Sequence, residues 1–130
     1  MNDIINIIRG MPDFIGGKGE SEIDIENAEK ILSLIFAKDF HTYLLEIGLA
    51  CFDGHELTGI CAYPRLNVVD VTLNERAKNP DIPKEWYVIE LANIDGIVIW
   101  QNQQGEVYQT QPNYECIKIA HSIAEYLTNK

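Results

Sequence analysis

Residues 86–110 of the chain, WYVIELANIDGIVIWQNQQGEVYQT, set the fold class. The segment Trp86–Leu91 is rich in aromatic and β-branched residues, which favours an inner strand of a sheet. Two tight-turn signals follow, Asp95-Gly96 and Gln104-Gly105, and each leads into another short strand-like segment. Because strands joined by such short turns must run antiparallel, the stretch predicts an antiparallel meander.

Two amphipathic helices are predicted before this meander. Ser21 stands three residues before Asp24, which is a helix-start signal. Apolar residues then recur at helical spacing in two successive sets, which are Ala28, Ile31, Leu32 and Ile35, and Phe40, Tyr43, Leu44 and Ile47. Gly48 is well placed to cap the second of these helices. The spacing therefore predicts two helices joined near Phe36-Ala37.

Shorter elements are predicted on either side of these helices and of the meander. Three isoleucines, Ile4, Ile5 and Ile8, share one helical face, and residues 10–21 are rich in glycine and predict a loop. Asn67–Val71 is typical of a short strand, and Thr72 with Glu75 forms a capping-box pair that would open a brief helix. A closing helix is predicted because apolar residues keep the helical period at Ile117, Ala120, Ile123, Ala124 and Leu127.

The predicted order is N-terminal helices, a central antiparallel sheet and a C-terminal helix packed on that sheet. This order describes the α+β fold class. A length of 130 residues predicts one domain, which we divide into an N-terminal helix and loop at residues 1–20 and a main part at residues 21–130.

The charge of the chain restricts its partners. Twenty acidic residues against ten basic ones give a formal net charge of −10. Such a surface disfavours nucleic acids and anionic membranes and attracts a basic protein. The sequence has no apolar run of the roughly 18–20 residues that a membrane helix needs and no signal-peptide pattern at its start, so we expect a cytoplasmic protein.

The cysteines indicate neither a disulfide scaffold nor a metal site. Cys51, Cys61 and Cys116 are odd in number and have no Cys-x-x-Cys spacing, so we expect reduced, buried thiols. No local sequence pairs any of them with a histidine for catalysis, and Cys116 and His121 are predicted to lie five residues apart on the last helix.

The remaining catalytic motifs also fail. His55-Glu56-Leu57-Thr58-Gly59 starts like a zinc-protease motif, but Gly59 replaces the second histidine. Gly16-Gly17-Lys18-Gly19 lacks the spacing of a phosphate-binding loop. The aromatic residues Trp86, Tyr87, Trp100 and Tyr108 fit either a ligand-stacking surface or a core, and strand spacing favours a core. We therefore predict no catalytic residue, no metal ligand, no cofactor and no enzymatic activity.

Several segments, taken in order, resemble the SUKH superfamily. The segments that resemble it are residues 36–48 (FAKDFHTYLLEIG), 52–60 (FDGHELTGI), 68–76 (VVDVTLNER), 86–90 (WYVIE) with Asp95-Gly96 and 105–108 (GEVY), and 122–127 (SIAEYL). The superfamily includes yeast cell-wall assembly regulators and many bacterial immunity proteins. The resemblance covers roughly residues 21–128 and implies the same α+β architecture.

The resemblance implies a binding protein without catalysis. Bacterial members are immunity proteins that cap the toxin domain encoded beside them, and such toxins are often nucleases. A nuclease needs a basic surface, so an inhibitor with a charge of −10 has the complementary sign. The hypothesis is therefore an immunity protein, monomeric or homodimeric, that occludes a basic toxin domain, and we expect this toxin to be a nuclease. The alternatives are an interaction scaffold in cell-wall or signalling regulation and a small hydrolase or thiol enzyme.

The loop Asp53-Gly54-His55-Glu56 is the candidate partner-binding site. It is predicted at the entry to a strand, and it carries no bulky apolar residue across its four positions. Asp53, His55 and Glu56 are the candidate contact residues. The alternative interpretation is a plain turn in which Gly54 supplies the backbone freedom.

Overall fold

The fold is known from a computed structural model that describes residues 4–128. Within that range the elements are α1 (Ile4–Arg9), β1 (Ile15–Gly16), α2 (Glu22–Leu32), α3 (Lys38–Glu46), β2 (Ala50–Phe52), β3 (His55–Leu57), α4 (Val68–Lys78), β4 (Tyr87–Leu91), β5 (Val98–Gln101), β6 (Val107–Thr110), β7 (Ile117–Ala120) and α5 (Ile123–Thr128). The predicted domain also spans residues 1–3 and 129–130, which lie outside the described residues.

The strands form one antiparallel sheet in which neighbours in the chain are neighbours in the sheet. The predicted meander is confirmed as β4–β5–β6, with Val88 opposite Trp100 and Trp100 opposite Tyr108. The turn between β4 and β5 contains Asp95 and Gly96, both with positive φ, as a tight turn requires. The α+β class with N-terminal helices and a C-terminal helix is therefore confirmed.

The two faces of the sheet are covered unequally. One face packs against α1, α2, α3 and α5 in the main core, whose fully buried members include Ile8, Ile25, Phe40, Leu44 and Ile123. The opposite face carries a smaller cluster, composed of Val71, Trp86, Val88, Val98 and Trp100. Strand alternation explains the division, because side chains of consecutive residues point to opposite faces.

The helix α2 begins where the sequence predicts but buries a different set of residues. The Ser21 hydroxyl accepts a hydrogen bond from the Asp24 N–H at 3.2 Å, as the capping signal predicts. The core stripe consists of Ile25, Ala28 and Leu32, whereas the predicted core residues Ile31 and Ile35 are 60% and 51% exposed. The prediction is wrong for Ile35 because a left-handed residue, Ser33, ends the helix before it.

The predicted strand at residues 67–71 is wrong, because α4 begins at Val68. Thr72 and Glu75 lie inside this helix and are buried, so they do not open a helix. Asn67 still forms an isolated parallel bridge with Gly59, so strand-like pairing ends where the helix begins. Val68 and Val71 lie about one turn apart on the buried side of this helix, Val68 in the main core and Val71 in the smaller cluster.

The closing helix is shorter than predicted, because residues 117–120 form β7. This strand pairs with β6 and places Lys118 opposite Tyr108. The helix α5 begins after Ser122, whose hydroxyl accepts from the Glu125 N–H at 3.0 Å while Glu125 accepts from the His121 N–H. The helical period across residues 117–127 is therefore accidental, and a capping box marks the true start.

The predicted loop at residues 10–21 contains the short edge strand β1, which pairs with β2. Close glycine packing holds this segment against the end of α3 and against the chain after β3. A Cβ on Gly19 would lie 2.1 Å from the Leu45 carbonyl oxygen, and one on Gly59 would lie 1.8 Å from that of Gly48. The three segments therefore meet backbone to backbone at Gly19, Gly48 and Gly59, which we call the glycine junction.

Within residues 4–128, no helix is long and apolar enough to cross a membrane.

Candidate functional site

The candidate loop is the tip of a tight β-hairpin between β2 and β3. Phe52 is opposite His55, and the two turn residues Asp53 and Gly54 have φ of 45° and 81°. This backbone is the two-residue turn that favours Asp-Gly, so the plain-turn interpretation describes its conformation well. Both turn residues are exposed, and the Asp53 carboxylate has no hydrogen-bond partner among residues 4–128.

His55 is fixed by a buried carboxylate that the sequence did not indicate. A bulge in β4 places Glu90 opposite Ile99, on the main-core face, where it is 3% exposed. Its oxygens contact His55 Nδ1 at 2.9 and 3.0 Å and accept from the Glu56 N–H at 3.2 Å. The Tyr126 hydroxyl of α5 donates to the same carboxylate. Glu90 therefore joins the hairpin to the C-terminal helix.

The hydroxyl of Tyr126 stays protonated in this arrangement. Burial and, after it, the adjacent Glu90 charge raise the pKa of Tyr126 well above the ordinary value of a tyrosine. The phenol is therefore a hydrogen-bond donor to Glu90 at any physiological pH. No feature of the sequence around Tyr126 signals this role, since β4 and α5 are 36 residues apart at this contact.

Glu56 is held by an arginine that the sequence analysis also missed. Arg65 donates two hydrogen bonds to the Glu56 carboxylate, at 3.1 and 3.2 Å, in a bidentate pair. The hydrogen bonds from Arg65 lower the pKa of Glu56, so this carboxylate is ionised at neutral pH. Of the three predicted contact residues, two are therefore engaged with other side chains, and Asp53 is the free one.

A histidine beside a carboxylate is also the geometry of a general base, which the enzyme alternative requires. Within residues 4–128, however, no serine or cysteine hydrogen-bonds to His55. His41 forms a similar pair with Glu22, at 2.8 Å, and no serine or cysteine of residues 4–128 hydrogen-bonds to it. The two histidine–carboxylate pairs thus lack the third member of a nucleophilic site.

The cysteines do not supply that member. All three are free, as predicted, but the prediction of burial is wrong, because Cys116 is exposed and Cys51 and Cys61 are half-buried. Cys116 precedes β7 and does not share a helix with His121. Desolvation by neighbouring groups raises the pKa of the Cys116 thiol, which is the opposite of nucleophile activation. No group of three or more potential metal ligands occurs within residues 4–128.

The aromatic residues belong to the core, as strand spacing favoured. Tyr87 and Trp100 are fully buried and Trp86 is 9% exposed. Trp86 stacks on the half-buried Tyr108 with ring centroids 4.1 Å apart. These rings are therefore used in packing and leave no tryptophan face open for a ligand.

Most carboxylates of the described residues are not neutralised by basic side chains. Within residues 4–128, Lys and Arg form ion pairs with three carboxylates, those of Glu56, Glu75 and Glu106. The N-terminal half of α2 is the densest acidic segment, with Glu22, Asp24 and Glu26 all exposed. The acidic excess of the sequence is thus an acidic surface of the folded protein.

Comparison with known proteins identifies one family. A family model described as SMI1-KNR4 cell-wall, SUKH_5, matches residues 1–130. No curated protein matches the chain.

Proposed function

This chain belongs to the SMI1-KNR4 family of the SUKH superfamily, and we propose on that premise that it is an immunity protein. The superfamily contains immunity proteins and cell-wall regulator-like proteins, which are generally non-enzymatic interaction domains. In this proposal the chain acts in the cytoplasm, binds a cognate toxin domain of basic surface, and blocks it without chemistry. In this proposal the toxin is a nuclease.

The acidic surface is the observation that carries this proposal. A nuclease domain must present positive charge to bind phosphates, and exposed carboxylates without basic partners can occupy the same positions. Such complementarity raises the association rate and disfavours nucleic acid as a competing partner. Binding would then exclude the substrate by steric and electrostatic occlusion.

The hairpin at residues 53–56 is one contact region in this proposal. Asp53 is exposed and unpaired at its tip, while Glu90 and Arg65 hold His55 and Glu56 in place behind it. A side chain presented on a preorganised turn loses little entropy on binding. Asp53 would contact the toxin directly, with His55 and Glu56 at the margin of the contact.

The test is a pull-down with the full chain from cells that co-express the neighbouring gene, at about 50 and 500 mM salt. We expect one basic polypeptide, retained less well at high salt because screening weakens the attraction, and inactive as a nuclease while bound. Retention of no polypeptide at low salt would overturn the proposal. Retention of a polypeptide that stays fully active while bound would overturn it as well.

A matched pair of variants tests the hairpin. Asp53 and Asp95 each precede a glycine in a tight turn with positive φ, and both are exposed. We expect Asp53→Asn to weaken toxin binding by about three- to tenfold, and Asp95→Asn, with the same charge change, to leave it unaltered. Equal affinities for the two variants would remove the hairpin from the interface.

The cell-wall description of the family favours a second candidate function. In that function the chain is a scaffold for cell-wall or signalling proteins. The same pull-down separates the two, because the scaffold would retain such proteins instead of a nuclease, and with less dependence on salt.

A further inference from the structure

The outer face of α2 carries large apolar side chains that the fold does not use. Ile25, Ala28 and Leu32 bury the inner face, whereas Ile23 and Ile31 are 68% and 60% exposed. These two residues are eight positions apart with exposed Asn27 midway between them, so the three form a row at i, i+4 and i+8 that turns about 80° around the outside of the helix. The helix therefore buries one apolar face in the core and also exposes two large apolar side chains on its outer side.

Carboxylates border this apolar row on both sides. Glu22 and Glu26 are one turn apart along one flank, and Asp24 lies on the other, all exposed. On the flank that carries Glu26, a shallow groove of about 540 Å³ leads to Ile35, which is 51% exposed, and neither Ile23 nor Ile31 lines this groove. We call the exposed side chains of Ile23, Glu26, Asn27 and Ile31 the α2 face.

An apolar centre within a charged rim is the usual anatomy of a protein interface. The hairpin at residues 53–56 has no large apolar side chain, and the tryptophans are buried in the core. Since most binding energy in an interface comes from a few large anchors that become desolvated, the hairpin cannot supply it alone. The α2 face offers both the anchors and the acidic rim.

We infer that the α2 face is the principal docking surface for a basic protein partner, with Ile23 and Ile31 as the apolar anchors. The inference rests on the proposed function and names the surface by which it would act. The charge of the rim selects the occupant: exposed Glu22, Asp24 and Glu26 outnumber exposed Lys30, so a partner with an apolar patch ringed by Lys or Arg fits and a second copy of this acidic chain does not.

The test compares four full-length variants with the wild type, using the basic polypeptide retained in the pull-down as the probe. Ile23→Ala combined with Ile31→Ala removes the anchors, and Leu73→Ala combined with Ile94→Ala is the control, because both of those residues are also exposed. Glu26→Lys alters the rim, and Glu115→Lys is its control with the same net charge. Circular dichroism checks that every variant is folded.

We expect the anchor variant to bind about thirtyfold more weakly, mainly through faster dissociation. Glu26→Lys is expected to slow association about three- to tenfold at low salt, with a smaller effect at high salt. Both controls are expected to bind within about twofold of the wild type. These results would support the α2 face as the docking surface.

Other outcomes separate this inference from the proposed function. If the wild type retains an inhibited nuclease and the α2 variants bind it equally well, the inference fails and the proposed function stands. If the α2 variants lose a basic partner that is not a toxin, the docking surface stands and the proposed function fails. If the wild type retains no basic polypeptide at low salt, both fail.

Discussion

The helices α2 and α4 have the same length, 11 residues, but they are used in different ways. The buried residues of α2 are all apolar, whereas α4 buries two valines together with Thr72 and Glu75. The Thr72 hydroxyl accepts from the Val88 N–H at 3.0 Å, and the Thr58 hydroxyl donates to the Val88 carbonyl at 2.8 Å. β3 pairs with β4 at Leu57 and Glu90. The two threonine hydroxyls therefore provide hydrogen-bond partners for the backbone of Val88, which β3 does not reach.

The comparison separates stability from recognition. The Thr72 hydroxyl of α4 completes the hydrogen bonding of β4 at Val88, so a change there should affect folding. Only the inner face of α2 contributes to the core, so changes on its outer face should affect binding and leave folding intact. Four substitutions test this division, and they are ordered by the size of the change that we expect.

The largest effect is expected from the ring against which α4 packs. Trp100 is fully buried in one cluster with Val71 of α4, so Trp100→Ala should lower the free energy of unfolding by about 3–5 kcal/mol. Urea denaturation followed by circular dichroism measures this loss. The anchor variant of α2, Ile23→Ala with Ile31→Ala, should lose less than about 1 kcal/mol. Comparable losses in the two variants would show that the outer face of α2 also contributes to stability.

The second effect concerns the hydroxyl that α4 gives to the sheet. Thr72→Val keeps the shape but leaves the Val88 N–H buried without an acceptor, so we expect a loss of about 1–3 kcal/mol. Thr42→Val in α3 is the matched control, because Thr42 is half-buried and its hydroxyl has no hydrogen-bond partner among residues 4–128. Unfolding curves that coincide for the two variants would show that α4 does not complete the sheet.

The third effect compares the starts of the two helices. The Ser21 side chain caps α2, whereas Asn67 makes no side-chain hydrogen bond to the N-terminal N–H groups of α4. Ser21→Ala should therefore cost about 1 kcal/mol of unfolding free energy, and Asn67→Ala less. The melting temperatures of the two variants provide the measurement. A larger loss for Asn67→Ala would contradict the assignment of the caps.

The smallest effect is the pH dependence of stability that we expect from Glu20, which lies next to α2. Partial burial and then the nearby Asp24 charge raise the pKa of Glu20 in the folded protein above its ordinary value. A raised carboxyl pKa favours the folded state below pH 4.5, and this contribution is lost as the pH rises through the folded pKa. We expect Glu20→Gln to be at least as stable as the wild type at pH 7, with a flatter stability profile above pH 4.

A steeper decline for Glu20→Gln than for the wild type would show that the sign is wrong. Glu26→Gln is the control for the removed charge, because Glu26 is exposed within α2. If the prediction holds, crowded carboxylates at α2 reduce stability and are consistent with a role in binding.

The same comparison shows what the sequence can predict. The start of α2 was predictable because its capping serine and first turn are local, and the meander because Asp95-Gly96 and Gln104-Gly105 mark its turns. The prediction of a strand at residues 67–71 was wrong. Three of these five residues are β-branched, which favours a strand when only the local sequence is considered. The contacts that fit a helix there come from residues distant in the chain, such as the hydrogen bond from the Val88 N–H to the Thr72 hydroxyl.

The candidate site was predictable to a smaller extent. The hairpin turn follows from Asp53-Gly54, but the contacts behind it join residues 35 and 36 positions apart in the chain, from His55 and from Tyr126 to Glu90. A buried glutamate within an apolar strand gives no local signal of its partners. The exposure of Ile31 was missed because the predicted set was too wide: Ala28 and Leu32 are buried, whereas Ile31 lies about 100° around the helix from Leu32.

The glycine junction has a consequence for how such a protein can change over generations. Any side chain at Gly19 or Gly59 would collide with a carbonyl oxygen of the backbone, which cannot rotate away. The outer residues of α2 meet no such limit, so they can be exchanged without loss of the fold. We therefore expect relatives that bind other partners to differ at positions 23, 27 and 31 while keeping glycine at 19 and 59. The glycines would then identify members of the family, and the outer residues of α2 would vary with the partner.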